Sequence, residues 1–205
     1  MPLHRIAACT ILLAALTACS DSASQKAEKK ELATPDPPIT GREAFQRMYI
    51  SARGWASDAA PVQLQSYNLP SIKAADGKAG AWQAVFDSAS RHRSRTYSWS
   101  AVESEGNLHK GVFAGPEDAS SASQRSFLVA FIKFDSDDAL NAALKQPHVQ
   151  AYLKKHPDRP LQFLLDFTDR VPDPAWRVMW GDSPSTAECT VFIDASTGKF
   201  AQKDC

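Results

Sequence analysis

The 205-residue chain has no surplus of either charge. Its 23 Lys and Arg balance 23 Asp and Glu, for a formal net charge of +0. No global field therefore draws it to nucleic acid or to an anionic membrane. It also lacks the spacings by which common chemistries declare themselves. There is no His-x-x-His, Cys-x-x-Cys or HExxH for a metal, no G-x-S-x-G elbow, and no G-x-G-x-x-G or G-x-x-x-x-G-K-[ST] loop for phosphates. Residues 20–39, "SDSASQKAEKKELATPDPPI", contain no aromatic side chain. Such a stretch cannot bury enough surface to fold and reads as a tether, about 25 Å long as a coil. No apolar run reaches the roughly 20 residues that a spanning helix needs.

What is present begins with a short n-region, Met1 to Arg5, and the apolar run "IAACTILLAAL". Together these read as a signal peptide over residues 1–18. The run ends in "LTAC", Leu16 to Cys19. This resembles the lipobox of bacterial lipoproteins, with a branched apolar residue three before the cysteine and small residues between. The resemblance implies cleavage before Cys19, diacylation of its sulfur, and a cell-envelope address. Two or more acyl chains hold firmly where one holds marginally. Ser20 stands where many such proteins carry an inner-membrane retention Asp, which favours the periplasmic face of an outer membrane in an organism that has one. The other reading is an ordinary secretory signal with a chance cysteine.

Beyond the tether, which spans 19–39 with its anchor, the pattern is α+β. "TGREAFQRMYISARGW" opens with a Thr40-x-x-Glu43 capping box and places Phe45, Met48, Ala52 and Trp55 at helical spacing. "PVQLQSYNL" reads as a strand, Asp76-Gly77 as a turn, and "AWQAVFDS" and "SRTYSWSAV" as strands joined by a basic loop. "SFLVAFIKF", 126–134, is the most strand-like segment of all. The order then recurs. A helix capped at Asp135 and Ser136 is broken at Pro147 and resumes to Pro157, followed by strands in "PLQFLLDF", "AWRVMWG" and "CTVFIDA". Sliding the halves by 94 positions puts Trp82 on Trp176, Phe86 on Trp180, Tyr97 on Val191 and Trp99 on Ile193. Identity over that stretch is near chance, so a duplication of 40–134 as 135–205 rests on element order and apolar parity.

The residues "AWRVMW" and "CTVFIDASTGKF" resemble the PepSY family, whose Trp-led strand is followed by one ending in Asp-Ala-x-Thr-Gly. The resemblance covers about 135–205. It implies a fold of two tandem α+β halves, each a helix followed by antiparallel strands, with helices packed on the sheet. It also implies an inhibitory or binding role, and it offers no catalytic residue. "SWSAVESEGN" departs from the pattern in the first half.

Removing the signal takes away Cys9, and the lipobox assigns Cys19 to lipid. Cys189 and Cys205 remain, an even pair in an exported chain, which reads as a disulfide. A three-residue loop Ser196-Thr197-Gly198 would set Ala195 opposite Lys199, Phe192 opposite Gln202, Val191 opposite Lys203 and Cys189 opposite Cys205.

Candidate chemistry is otherwise sparse. Asp135, Asp137 and Asp138 are explained by capping better than by calcium, and Asp166 and Asp169 read as charge partners of Arg170. "RHRSR" gathers Arg91, His92, Arg93 and Arg95. With an exposed Trp55 or Trp180 beside it, this loop would make an interaction patch, although a solvated turn and core tryptophans are the simpler account. The leading expectation is a non-enzymatic, lipid-anchored envelope protein without cofactor or metal, binding an envelope protein or peptide. It predicts a contiguous apolar-aromatic or basic surface patch. The alternatives are a structural envelope component, or an enzyme whose pocket brings together two of His92, His109, His148, Asp166 and Asp182.

Overall fold

In a computed structural model, residues 34–103, 108–121 and 125–205 are described. The signal peptide, Cys19 and nearly all of the tether lie outside them. The fold is α+β, with a large antiparallel sheet and few helices.

A short strand β1 (Ile39–Thr40) leads into α1 (Gly41–Trp55). The Thr40 side chain accepts from the Glu43 amide, which is half of the predicted capping box. Then come β2 (Ala60–Tyr67), β3 (Lys78–Ala79), β4 (Ala81–Ser88), β5 (Arg93–Ser100) and β6 (Gly111–Ala119). Two helices follow, α2 (Ser136–Leu144) and α3 (Pro147–Lys155), with Pro147 in the first turn of α3, where its missing N–H costs nothing. The chain closes with β7 (Leu161–Thr168), β8 (Val171–Trp180), β9 (Cys189–Asp194) and β10 (Phe200–Asp204).

Eight of these strands form one sheet in the order β10-β9-β8-β7-β2-β4-β5-β6. The two runs of strands are therefore continuous, joined where β2 pairs antiparallel with β7 through Gln63↔Asp166, Leu64↔Leu165 and Gln65↔Leu164. The period-2 alternation gives the sheet two unlike faces. One carries Leu64, Trp82, Phe86, Tyr97, Trp99, Phe163, Leu165, Trp176, Val178 and Ile193. These are almost wholly buried and share one core with Phe45 and Met48 of α1, Leu140 of α2 and Val149 of α3. Burial at these positions dominates the stability.

The helix starts meet over the middle of this core. Trp82 donates its indole N–H to the Ile39 carbonyl (3.0 Å), and Trp176 donates to the Phe134 carbonyl (2.9 Å). In each case the acceptor is the residue just before a helix N-cap. Ser136 Oγ accepts from the Gly41 amide (2.8 Å) and donates to the Gly77 carbonyl (2.5 Å), while Asp135 Oδ1 accepts from the Arg42 amide (2.8 Å). Gly41 has to be glycine: a Cβ there would lie 2.5 Å from Trp176 Cη2 and 3.1 Å from Trp82 Cη2.

Two local expectations are corrected. "SFLVAFIKF" is not a strand. It contains a turn of 3-10 helix at Val129–Phe131 and runs as a strap across strand ends. The Phe127 amide bonds Pro61 O (2.8 Å), and those of Lys133 and Phe134 bond Ala195 O (both 3.0 Å). Its apolar side chains fill space between elements instead of alternating across a ladder, with Phe127 and Ile132 buried and Leu128 exposed. The edge strand of the first run is instead "GVFAGPEDA". Its Gly115 and Pro116 break the sequence signal for a strand, yet an edge tolerates a missing N–H.

The terminal hairpin is corrected in one detail. Asp194 pairs with Lys199 and the Gly198 amide returns to Asp194 O (both 2.9 Å), so the loop is one residue longer than expected. A register shift between Phe200 and Gln202 then restores Phe192↔Gln202 and Val191↔Lys203. Gly198 is left-handed (φ 68°), and Cys189 and Cys205 form the expected disulfide with Cα atoms 4.2 Å apart.

Candidate functional site

The other face of the sheet carries Gln63, Gln65 and Tyr67 on β2, Gln83 and Val85 on β4, Thr96 and Ser98 on β5, Leu164 and Asp166 on β7, Arg177 and Met179 on β8, and Phe192 on β9. The three helices direct their buried residues to the opposite face. Among the described residues no helix covers this one.

Polar side chains cross it in short relays. Gln63 Nε2 donates to Gln65 Oε1 (3.2 Å), and the Tyr67 hydroxyl donates to Gln83 Oε1 (2.7 Å). Burial raises the Tyr67 hydroxyl above its ordinary range, keeping it a donor.

At the β2-start and β7-end of this face lies a cleft of about 390 Å³ whose lining includes Gln63, Arg125, Asp166, Asp169, Arg170 and Arg177. Arg177 Nη2 donates to Asp166 Oδ2 (2.7 Å), which replaces the expected pairing of Asp166 with Arg170. Arg170 pairs with Asp204 instead (2.8 Å). The reason lies in the register, which brings β7 and β8 side by side, while Arg170 sits in the turn between them. Arg170 and Arg177 both lie over the Phe192 ring at 5.7 Å, and Arg125 stacks 4.5 Å above Phe167, with Nη2 reaching Thr168 O at 3.4 Å. Stacking of this kind holds guanidinium planes in place.

Burial pushes the Asp166 carboxyl up to about 6, against the opposing pull of Arg177. Asp166 Oδ1 and Arg177 Nε are both buried without a hydrogen-bond partner. A buried orphan donor and a buried orphan acceptor on one ion pair is an arrangement that calls for explanation.

The residues singled out in the sequence fall into two groups. Trp55 and Arg91 do come together. Arg91 lies 5.6 Å over the Trp55 ring, and Glu117 Oε1 both accepts from Trp55 Nε1 (2.8 Å) and sits 3.7 Å from Arg91. Arg95 turns away, donating through Nε to Gly115 O (2.8 Å), and His92 occupies a left-handed turn position (φ 54°) next to exposed Arg93. Asp58 secures the base of this hairpin by accepting from Ser88 Oγ (2.6 Å) and the Ser90 amide (2.8 Å). These bonds, the Ser88 one foremost, lower its carboxyl to about 2. Trp180 is corrected: it is buried on β8 beside Cys189, in the other run of strands, and contributes to no exposed patch.

Exposed large apolar residues are dispersed over Ile50 of α1, Val112 and Phe113 of β6, Leu128 and Val129 of the strap, Leu144 of α2 and Phe200 of β10. The expected contiguous apolar patch is not among them. Of His92, His109, His148, Asp166 and Asp182, the arginine cleft is lined by Asp166, and a second cleft of about 480 Å³ beside His156 is lined by Asp182. His148 packs against Phe200 and His109 against Glu103 and Phe113. Among the described residues no three His, Cys, Asp or Glu side chains could hold a metal ion, and no helix is long and apolar enough to cross a membrane.

The arginine cleft had no motif to announce it. Arg125, Asp166, Arg170 and Arg177 are spread over 53 positions of sequence, and only the β7–β8 pairing and the strap bring them together.

No protein-family model matches the chain, and no curated protein matches it. A solved structure is similar in fold, the crystal structure of a candidate lipoprotein from Clostridium difficile 630. It is 11% identical, with a TM-score of 0.50 over 86% of this chain and 95% of that one. At that identity the likeness is one of architecture, and the α+β fold with its broad antiparallel sheet is what the two chains share.

Proposed function

We propose that the protein is a lipid-anchored, non-enzymatic component of the cell envelope that works by binding a protein or peptide partner. The observation that carries this reading is the helix-free face of the sheet. It is a mixed surface on which carboxamides, hydroxyls and the Asp166–Arg177 ion pair stand among Val85, Leu164, Met179 and Phe192, with an arginine- and aspartate-lined cleft at one end. Carboxamides carry both donors and acceptors and suit the backbone of another chain.

The anchor rests on the Leu16–Cys19 motif, with Cys19 as the acylated residue, residues 1–18 as the signal and 19–39 as tether. The fold it shares with a candidate lipoprotein is in keeping with that. Ser20 favours the outer membrane. The body we read as two PepSY-like halves, 40–134 and 135–205. Three observations support a duplication. Each half runs from a helix into a four-stranded meander. Trp82 and Trp176 occupy matching second strands, opposite Trp99 and Ile193. Both indoles cap the residue before a helix start.

A photo-crosslinking residue at Gln83, on the helix-free face, tests the partner reading in intact envelopes against the same residue at Arg47, on the exposed side of α1. A discrete adduct from Gln83 and none from Arg47 is expected. Equal labelling from both positions, or none from either, overturns the reading. Acylation is checked separately by loss of labelled fatty acid from Cys19→Ser.

A further inference from the structure

The place where the chain enters the body is fixed by hydrogen bonds. Lys110 Nζ donates to the Thr34 carbonyl (2.8 Å) and pairs with Asp36 Oδ1 (3.1 Å), while the Asp36 amide bonds Ala101 O (2.9 Å). Thr34 and Asp36 fall within the stretch read as tether, and both are tied down beside the start of β6, the outermost strand of the sheet.

Val112 and Phe113 follow Lys110 by two and three residues, about 7–10 Å along an extended strand. Both are exposed, by 38% and 42%. Val112 lies opposite Trp99 and Phe113 opposite Ser98, so the two project from opposite faces of one edge. His109 stacks on the Phe113 ring at 4.5 Å. The charged groups here are matched to one another, Lys110 to Asp36 and His109 to Glu103 (2.7 Å). An apolar edge of this kind, beside the end of an acylated tether, suits the interfacial zone of a bilayer better than an anionic ligand.

Tether length decides whether so small a patch can matter. Residues 19–33 would reach about 20 Å as a coil. A patch held at that distance from a surface meets it at an effective concentration in roughly the millimolar range, so weak contacts suffice. A second exposed pair lacks this advantage. Leu128 (69%) and Val129 (36%) lie on the strap, where the neighbouring Phe127 amide bonds Pro61 O at the start of β2. The tether enters at the other end of the strands, since Gly111 faces Ser100, Ser100 faces Ala81, and Ala81 faces Tyr67 at the end of β2. The length of β2 sets these ends about 25 Å apart.

The backbone of β6 sets the depth of contact. Groups on its open side have no ladder partner there. They find partners among water and headgroups but would be left unpaired in hydrocarbon, which makes the contact shallow.

We propose that the β6 edge, through Val112 and Phe113, rests on the headgroup zone of the bilayer that carries the anchor. The sheet then stands on this edge, and its helix-free face stays open to solution. This rests on the lipid-anchor reading above and adds which side of the body meets the lipid.

The test places a photo-crosslinking residue at Phe113 or at Leu128 of the acylated chain in vesicles of phosphatidylethanolamine and phosphatidylglycerol. Lipid adducts are read by mass. Phe113 is expected to give at least about fivefold more lipid adduct than Leu128, although Leu128 is the more exposed side chain. Replacing phosphatidylglycerol with phosphatidylcholine should leave that ratio unchanged, because matched charges take no part. Equal lipid yields from the two positions, or none from either, overturn the proposal. A ratio that collapses in phosphatidylcholine overturns it in favour of an anionic-lipid site. An adduct between two copies in place of lipid overturns it in favour of self-association through β6. Fatty-acid label on Cys19 judges the anchor separately. A labelled chain with no preference for Phe113 overturns this inference alone, and an unlabelled chain overturns both.

Discussion

The indoles of Trp82 and Trp176 meet edge to face, 6.4 Å between ring centroids, directly beneath the point where α1 and α2 begin. Each ring both fills the core and caps a carbonyl outside a helix start. Trp82→Phe and Trp176→Phe should therefore each leave a carbonyl without its donor, buried at Ile39 and part-buried at Phe134, and cost about 2 kcal/mol each. Denaturant unfolding followed by near-ultraviolet circular dichroism reads both. A neutral result for one and a large loss for the other would show that the two bonds are not equivalent.

Gly41→Ala places a methyl group against both indoles. Overpacking of this kind costs about 1–3 kcal/mol, even though alanine is the better helix former. Gly54, which has open space around it at the other end of the same helix, is the control. Gly54→Ala should be neutral or stabilising, and a similar melting-temperature loss for both would remove the steric explanation.

Asp166 makes stability depend on pH in a direction unusual for a carboxylate. Its ordinary value is 3.8 and burial raises it to about 6 in the fold, so between these values the native state holds the proton more tightly. Stability falls as pH rises across that window, by on the order of 3 kcal/mol at most. His148, which burial holds below its ordinary value, has the opposite slope near neutrality, so the comparison with Asp166→Asn is the readout. The variant should lose the decline between pH 4 and pH 6. An unchanged profile assigns the slope to other groups.

Much of this architecture is legible in the residues, because alternation and capping are local. Thr40, Asp135, the Asp76-Gly77 turn and the buried parity of Trp82, Trp99 and Trp176 can all be read from neighbours within a few positions. The strap at 126–134 is not legible in this way. Its apolar run satisfies a strand pattern, whereas its amides bond partly within the strap, to Leu128, Val129 and Phe131, and partly to the distant Pro61 and Ala195 carbonyls. The same holds for Trp180, whose aromatic character fits a rim or a core equally until the assembled sheet places it in the shared core with Trp176 and Val178. The arginine cleft is least visible of all, since no spacing links Arg125 to Arg177 before the sheet is assembled.

The Cys189–Cys205 bridge closes a loop with a sequence separation of 16. In the chain-entropy model it contributes about 3 kcal/mol, which reduction or Cys189→Ser should remove. Unfolding curves with and without reductant measure it. A shift far below this value would mean that β10 is already held by its ladder to β9.

Ser136 carries a consequence for what counts as a unit. Its hydroxyl, at the start of α2, serves the Gly41 amide and the Gly77 carbonyl, both from the other run of strands, while Asp135 serves Arg42. A chain cut before Asp135 would strip the first piece of the partners for α1 and leave the second with a polar group facing no one. These bonds tie the two runs of strands into one folding unit, so neither piece expressed alone should give a cooperative transition.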